Sequence, residues 1–176
     1  MPDLDLGKKL NITKDANFHF GIPELPLFSL FCQTLDLPSV TLGVAEQPTP
    51  LVEVKHPGDK IVFEDLMVSF LVDEELTNYL EVFKWIMHLG YPRSTAQYRK
   101  LVQQDTVYTR KHELHCSLLT NKMNFRQRIV FVGAFPTNLS TLPFTTNNEG
   151  VGHLTATATF AYDYYYFEDG SGDSTL

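Results

Sequence analysis

The chain has two cysteines, Cys32 and Cys116, and one tryptophan among its 176 residues. Two thiols form a bridge only where the fold brings them together, so no disulfide framework organises this chain, and a reduced, cytosolic site of synthesis is the plainer expectation. No stretch approaches the roughly 18 apolar residues of a membrane span. The first residues, MPDLDLGKKLNITKDAN, are polar and lack the apolar segment of a secretory signal. There is no glycine-rich phosphate loop, no nucleophile elbow and no dinucleotide fingerprint. These absences leave no signature of an enzyme, and no cofactor is expected.

Basic residues are also few, 14 against 21 acidic ones, for a net charge of −7. They are concentrated. Between Arg93 and Arg128 eight basic residues face two acidic ones, so that segment is +6 and the remainder −13. A molecule polarised in this way can meet copies of itself, unlike edge to unlike edge. A solvated, mixed surface explains the same charges.

What is present is dominated by one stretch, Phe63 to Pro92. Leu66, Val68, Phe70 and Val72 alternate as in a half-buried strand. Asp73 stands at an N-cap position, with Glu74 and Glu75 in the expected first turn of a helix. Leu76, Tyr79, Leu80, Phe83 and Met87 form one apolar stripe, and Val82, Trp85, Ile86 and Leu89 a second. A helix with so wide an apolar arc is expected to be covered on more than one side. Gly90 and Pro92 end it.

Around this centre, residues 1–16 read as a flexible or partner-ordered arm, 17–167 as one domain, and 168–176 as a disordered acidic tail. Asn17–Ile22 is a short extended piece with Phe18 and Phe20 on one side. Phe28–Leu35 reads as β, with Phe28, Leu30 and Cys32 on one face. Val40–Lys60 contains Pro48, Pro50 and Pro57, which argue against a central strand. Leu51, Val52 and Val54 lie among those prolines, so the segment fits an arm packed on a neighbouring subunit, or a long loop folded over its own domain. Residues 91–105 read as a polar linker with a helical turn at 96–102.

Thr106–Leu119 and Phe125–Phe135 read as a hairpin closed by Asn121–Asn124. Arg126 and Arg128 share a face with Val130 and Val132 on its second strand. A loop, Pro136–Gly150, precedes a long strand, Val151–Phe167. On that strand Leu154, Ala156, Ala158, Phe160, Tyr162, Tyr164 and Tyr166 line one face. These readings make the chain mainly β, with an antiparallel hairpin and one helix; no second helix of that quality appears.

Three clusters could carry chemistry. His112-Glu113-Leu114-His115-Cys116 holds zinc-type ligands. On a strand, however, residues three apart face opposite ways and cannot share one ion. Asp73, Glu74 and Glu75 are explained by a helix N-terminus. The tyrosines at 162–166 could stack on bases or sugars; alternation on a buried strand explains them equally. No catalytic or metal residues follow from these clusters.

Five segments together resemble the tail-tube proteins of large contractile-tailed bacteriophages. They are LFCQTLDLPSVTLG at 30–43, HPGDK at 56–60 and FEDLMVSFLVDEELTNYLEVFKWI at 63–86, then FPTNLSTLPFTTNN at 135–148 and LTATATFAYDYYYF at 154–167. The resemblance spans residues 17–167. It implies a sandwich or barrel of the tail-tube type that forms hexameric rings in the tube or at its baseplate junction. A tail-completion or neck protein, or a ring of a related injection device, is the alternative. A small metal-dependent or sugar-binding protein is a third reading, from a different class. The implied partners are copies of the chain, neighbouring tube, sheath or baseplate proteins, and, in the lumen, tape-measure protein and passing DNA bound without sequence reading. The implied location is the phage tail, after synthesis in the host cytoplasm. Pro48, Pro50, Leu51 and Val54 on the proline arm, with Arg126 and Arg128, are the candidate interface residues.

Overall fold

The computed structural model describes residues 18–23, 25–90, 111–145 and 152–169. In chain order the elements are β1 Phe18–Gly21, α1 Pro26–Leu30, β2 Cys32–Asp36, β3 Val40–Gln47, β4 Val54–Phe63 and β5 Leu66–Leu71. Then follow α2 Thr77–Gly90, β6 His112–Leu119, β7 Phe125–Leu139, β8 Thr155–Ala161 and β9 Tyr164–Asp169. Every pairing is antiparallel.

The body has two layers that share one long strand. The first half of β7 lies between β6 and β9, and β1 extends that layer beyond β6. The second half of β7 pairs with β8, which continues through β5 to β2. The strand passes between layers at Gly133, whose φ of +68° suits glycine. A side chain there would also collide with the Asp163 carboxylate.

The expected alternation on β5 holds: Leu66, Val68 and Phe70 are fully buried. Opposite them Ala156, Ala158 and Phe160 of β8 are buried too. The small alanines leave room for large rings. Phe28 of α1 packs edge-on to Phe70 at 4.7 Å and Phe160 at 5.9 Å. Trp85 of α2 lies 6.1 Å from Phe160 on one layer and 5.1 Å from His112 on the other, so one indole joins both.

Several expectations need correction. Phe28–Leu35 is not one strand. Its first half is the short helix α1, with Pro26 at the helix start, so Phe28 is buried while Leu30 is exposed. The flanking helix is therefore joined by a second. The chain also breaks at Glu64-Asp65, so β4 and β5 enter different sheets. Helix α2 starts at Thr77, after Leu76 takes a left-handed φ of 57°, and its first turn holds no acidic residue. Asp73 caps from outside instead, its Oδ1 accepting from the Asn78 amide at 3.2 Å. Asn78 is fully buried. It donates to the Leu71 carbonyl at 2.6 Å and accepts from the Tyr79 amide at 2.8 Å, which settles its polar cost.

The second apolar stripe of α2 is the core stripe, with Val82 and Trp85 buried. The first is uncovered in part, leaving Leu80 and Phe83 exposed. The strand expected to end at Phe135 runs on through Pro136 to Leu139. The single strand expected over 151–167 is two, β8 and β9, separated at Tyr162-Asp163. That break reverses the facing, so Tyr165 and Phe167 pack on the core and Tyr164 is exposed. Glu168 and Asp169, assigned to a disordered tail, belong to β9. The 1–16 arm, the 91–105 linker and residues 170–176 lie outside the described residues.

Candidate functional site

The proline-containing segment is a β-ribbon. Among the described residues β3 and β4 pair only with each other, from Val40↔Phe63 to Gln47↔Val54. Proline is tolerated because both strands are edges. Pro57 lies opposite Val44, where the register shifts, and Pro48 and Pro50 lie in the connection. Within that connection Val52 donates its amide to Thr49 Oγ1 at 3.2 Å, while the Thr49 hydroxyl donates to the Val52 carbonyl.

The base of the ribbon is fastened from the far end of the sequence. Glu64 donates its amide to the Ser39 carbonyl at 3.2 Å, closing the base. The Tyr162 hydroxyl donates to the Glu64 carbonyl at 2.7 Å, and the Tyr165 hydroxyl to the Pro38 carbonyl at 3.4 Å. The Phe63 ring packs on both tyrosines, at 6.1 and 5.4 Å. Burial pushes the Tyr162 phenol up to about 12, helped by Tyr165, Asp65 and Glu64 nearby. Two members of the tyrosine run, Tyr162 and Tyr165, therefore clamp the base of the ribbon. Sequence reasoning missed this role because the partners are backbone carbonyls about 100 residues away.

Above the base the ribbon is bare. Leu42, Val44, Ile61 and Val62 are exposed, and Leu51 at the tip is 97% exposed. A two-stranded ribbon is marginal alone in water, and clustered exposed apolar side chains mark a surface meant to be covered. The expected interface residues Pro48, Pro50, Leu51 and Val54 are all exposed and gather at this end.

Arg126 and Arg128 lie on a different sheet, at the start of β7. Arg126 is exposed. Arg128 reaches Glu168 of β9 at 3.7 Å and sits 5.6 Å over the Phe125 ring. The wet-to-dry change along this strand holds, since Val130 is buried.

The His/Cys cluster is not brought together. Leu114 and Cys116 are core, His112 meets Trp85, and His115 lines a surface pocket. Among the described residues no group of three or more metal-type ligands converges. Cys32 and Cys116 are free thiols. Burial raises Cys32 to about 12, with Cys116 adding to it, and Cys116 to about 11. Both are thus kept from the thiolate state that a nucleophile needs. Burial also raises Glu81 of α2, whose carboxylate accepts from the Phe28 amide at 3.3 Å and ties α1 to α2. Among the described residues no helix is long and apolar enough to cross a membrane.

The described residues form a two-layered body with a clamped ribbon whose apolar side chains are exposed, and they bring together no catalytic or metal-binding cluster. Residues 7–168 match the phage tail tube protein family, and the chain belongs to it. It is accordingly a structural component of the phage tail, and so of the virion, and not an enzyme. The chain is similar to the tail tube terminator protein of Enterobacteria phage T4, with 26% identity over 166 residues and 90% of each chain covered. The fold is shared with the sheath/tube terminator of the extracellular contractile injection system PVC in its extended state. There the TM-score is 0.60 at 15% identity, covering 89% of this chain and 96% of the other. It is shared as well with the tube terminating cap of the anti-feeding prophage. In that case the TM-score is 0.56 at 14% identity, covering 90% and 92%.

Proposed function

We propose that this chain is the tube terminator of a contractile phage tail. Copies close into a hexameric ring that seats on the end of the tail tube and meets the sheath, and the ring's lumen continues the channel through which tape-measure protein and DNA pass. The observation that carries an assembly role is the bare ribbon: a monomer would expose Leu51 and its neighbours to water with nothing gained. The terminator position is favoured over the repeating tube, the baseplate junction and the neck by the similarity to the T4 terminator along 90% of both chains. In this reading Pro48, Pro50, Leu51 and Val54 contact a neighbouring subunit. Arg126 and Arg128 meet acidic surface of another copy and set the register of that contact.

Electron microscopy of the purified chain, alone and mixed with short tubes of the same phage, tests this. The expected images are single six-fold rings that attach to one end of the tubes and stop their growth. Long tubes formed by the chain alone would make it the repeating subunit. Rings that start tube growth would place it at the baseplate junction. Persistent monomers would overturn the assembly role.

A further inference from the structure

The β1–β6–β7–β9 layer has an outer face that the core does not use. His19, Ser117, Arg128 and Glu168 lie in one cross-strand rung, His19 beside Ser117, Ser117 beside Arg128, and Arg128 beside Glu168. The adjacent rung, Phe20, Cys116, Ile129 and Phe167, points into the core, so this one points out. Above it the chain between β1 and the end of α1 makes an apolar wall of Ile22, Pro23, Pro26 and Leu30. This wall, with His19, Ser117 and Arg128 of the rung, lines an open pocket of about 430 Å³.

Arg128 on the pocket floor has donor capacity to spare. Its Nε is buried with no acceptor among the described residues. Its Nη1 stands 3.7 Å from Glu168, well beyond the roughly 2.7–2.9 Å of a charge-assisted hydrogen bond. The site therefore suits an occupant with an apolar knob and a carboxylate close beside it. The ribbon tip has that chemistry. Residues 46–54 carry Glu46 and Glu53 and no basic residue, and Leu51 projects from the same short stretch. At 97% exposure Leu51 does not fill the pocket of its own chain.

We propose that this pocket receives the ribbon tip of a second copy, with Leu51 entering the apolar wall and Glu53 meeting Arg128. The inference rests on the assembly reading above and adds the receiving surface to it. Knob and pocket are different surfaces of one chain, so the contact is heterologous and repeats from copy to copy.

Cross-linking between two variants, each with one added cysteine, tests the contact. One carries Leu51→Cys and the other Gly21→Cys. Gly21 lines the pocket, and a Cβ there meets only the His19 ring, at 3.8 Å. Of the native thiols Cys116 is buried and Cys32 partly buried, so the parent chain, oxidised in parallel, gives the background. Mild oxidation of the mixture is expected to give a two-chain disulfide product that neither variant gives alone. A Leu51→Ser variant is expected to self-associate roughly tenfold to a hundredfold more weakly, as loss of one buried leucine implies, with an unchanged melting temperature. Rings in the microscope without the mixed disulfide would overturn the pocket and leave the assembly reading standing. A disulfide that forms only after residues 170–176 are removed would show that the chain's own end holds the pocket, and would also overturn it. Monomers without any cross-link would overturn the assembly reading and this inference together.

Discussion

The body and the ribbon are built from the same kinds of residue to opposite ends. In β5 and β8 every second side chain enters a core shared by two layers and two helices. In β3 and β4 comparable valines, leucines and isoleucines meet water. Alternation and composition do not separate the two; what separates them is whether a second layer exists to be packed against. The body supplies its own second layer; among the described residues the ribbon has none. Stability should therefore reside in the body and assembly in the ribbon.

The strongest way to break this division is to damage the body where its layers meet. Trp85→Ala is expected to cost about 3–5 kcal/mol, because the indole is buried between layers. Denaturant titration measures this, and a near-normal midpoint would show that Trp85 does not join them. The next effect lies at the junction. Tyr162→Phe removes the hydrogen bond to Glu64 and is expected to cost about 0.5–1.5 kcal/mol at neutral pH. The folded phenol holds its proton to about pH 12, whereas the unfolded one titrates near its ordinary value of 10.0. Its contribution is thus complete below pH 10 and lost as pH rises toward 12. Melting curves across that window should show a steeper alkaline decline for the parent than for the variant; equal slopes would rule the clamp out.

Smaller still, for folding, is deletion of Ala45–Lys55. Residues 45–55 are all exposed, so the melting temperature should hold while ring formation disappears. Normal rings would reduce the ribbon to a surface loop. Smallest for assembly is the double change Arg126→Glu with Arg128→Glu. It should alter stability by about 0.5 kcal/mol, since both side chains reach solvent. Assembly followed by light scattering should slow at low salt, with the defect shrinking near 1 M, where screening acts over about 3 Å. Rates equal to the parent at every salt concentration would make these charges mere solvated surface.

Much of the body was legible because its signals are local. Leu66, Val68 and Phe70 alternate without interruption, Val82 and Trp85 keep helical spacing, and the 120–124 turn stands between two clear strands. The rest depends on distant partners. Helix α1 is five residues long, too short for its period to register, and Phe28 alternates as well as a strand residue would. Prolines obscured the ribbon, because edge-strand status is a property of the sheet and cannot be seen in one strand. Strand β7 continues through Pro136, since its pairing with β8 is irregular there. The break at Tyr162-Asp163 is held by a bond from the Asp163 amide to the Val132 carbonyl at 2.9 Å and by Lys111 on the Asp163 carboxylate at 2.8 Å. Both partners are remote in sequence. At the candidate site the apolar residues among the prolines were legible as a group, and the structure places them exposed at the ribbon tip. The clamp and the pocket were invisible, because neither exists until the strands are assembled.

The clamp also has a consequence in time. Tyr162 and Tyr165 lie about 100 residues or more beyond the backbone they grip. On the ribosome β3 and β4 emerge early and can pair as a local hairpin within microseconds. Their base cannot be fastened until the last two strands have been made. A growing chain therefore carries a ribbon without a fixed direction, and only the completed molecule presents it aimed. Synthesis order thus leaves the direction of the ribbon to be fixed last.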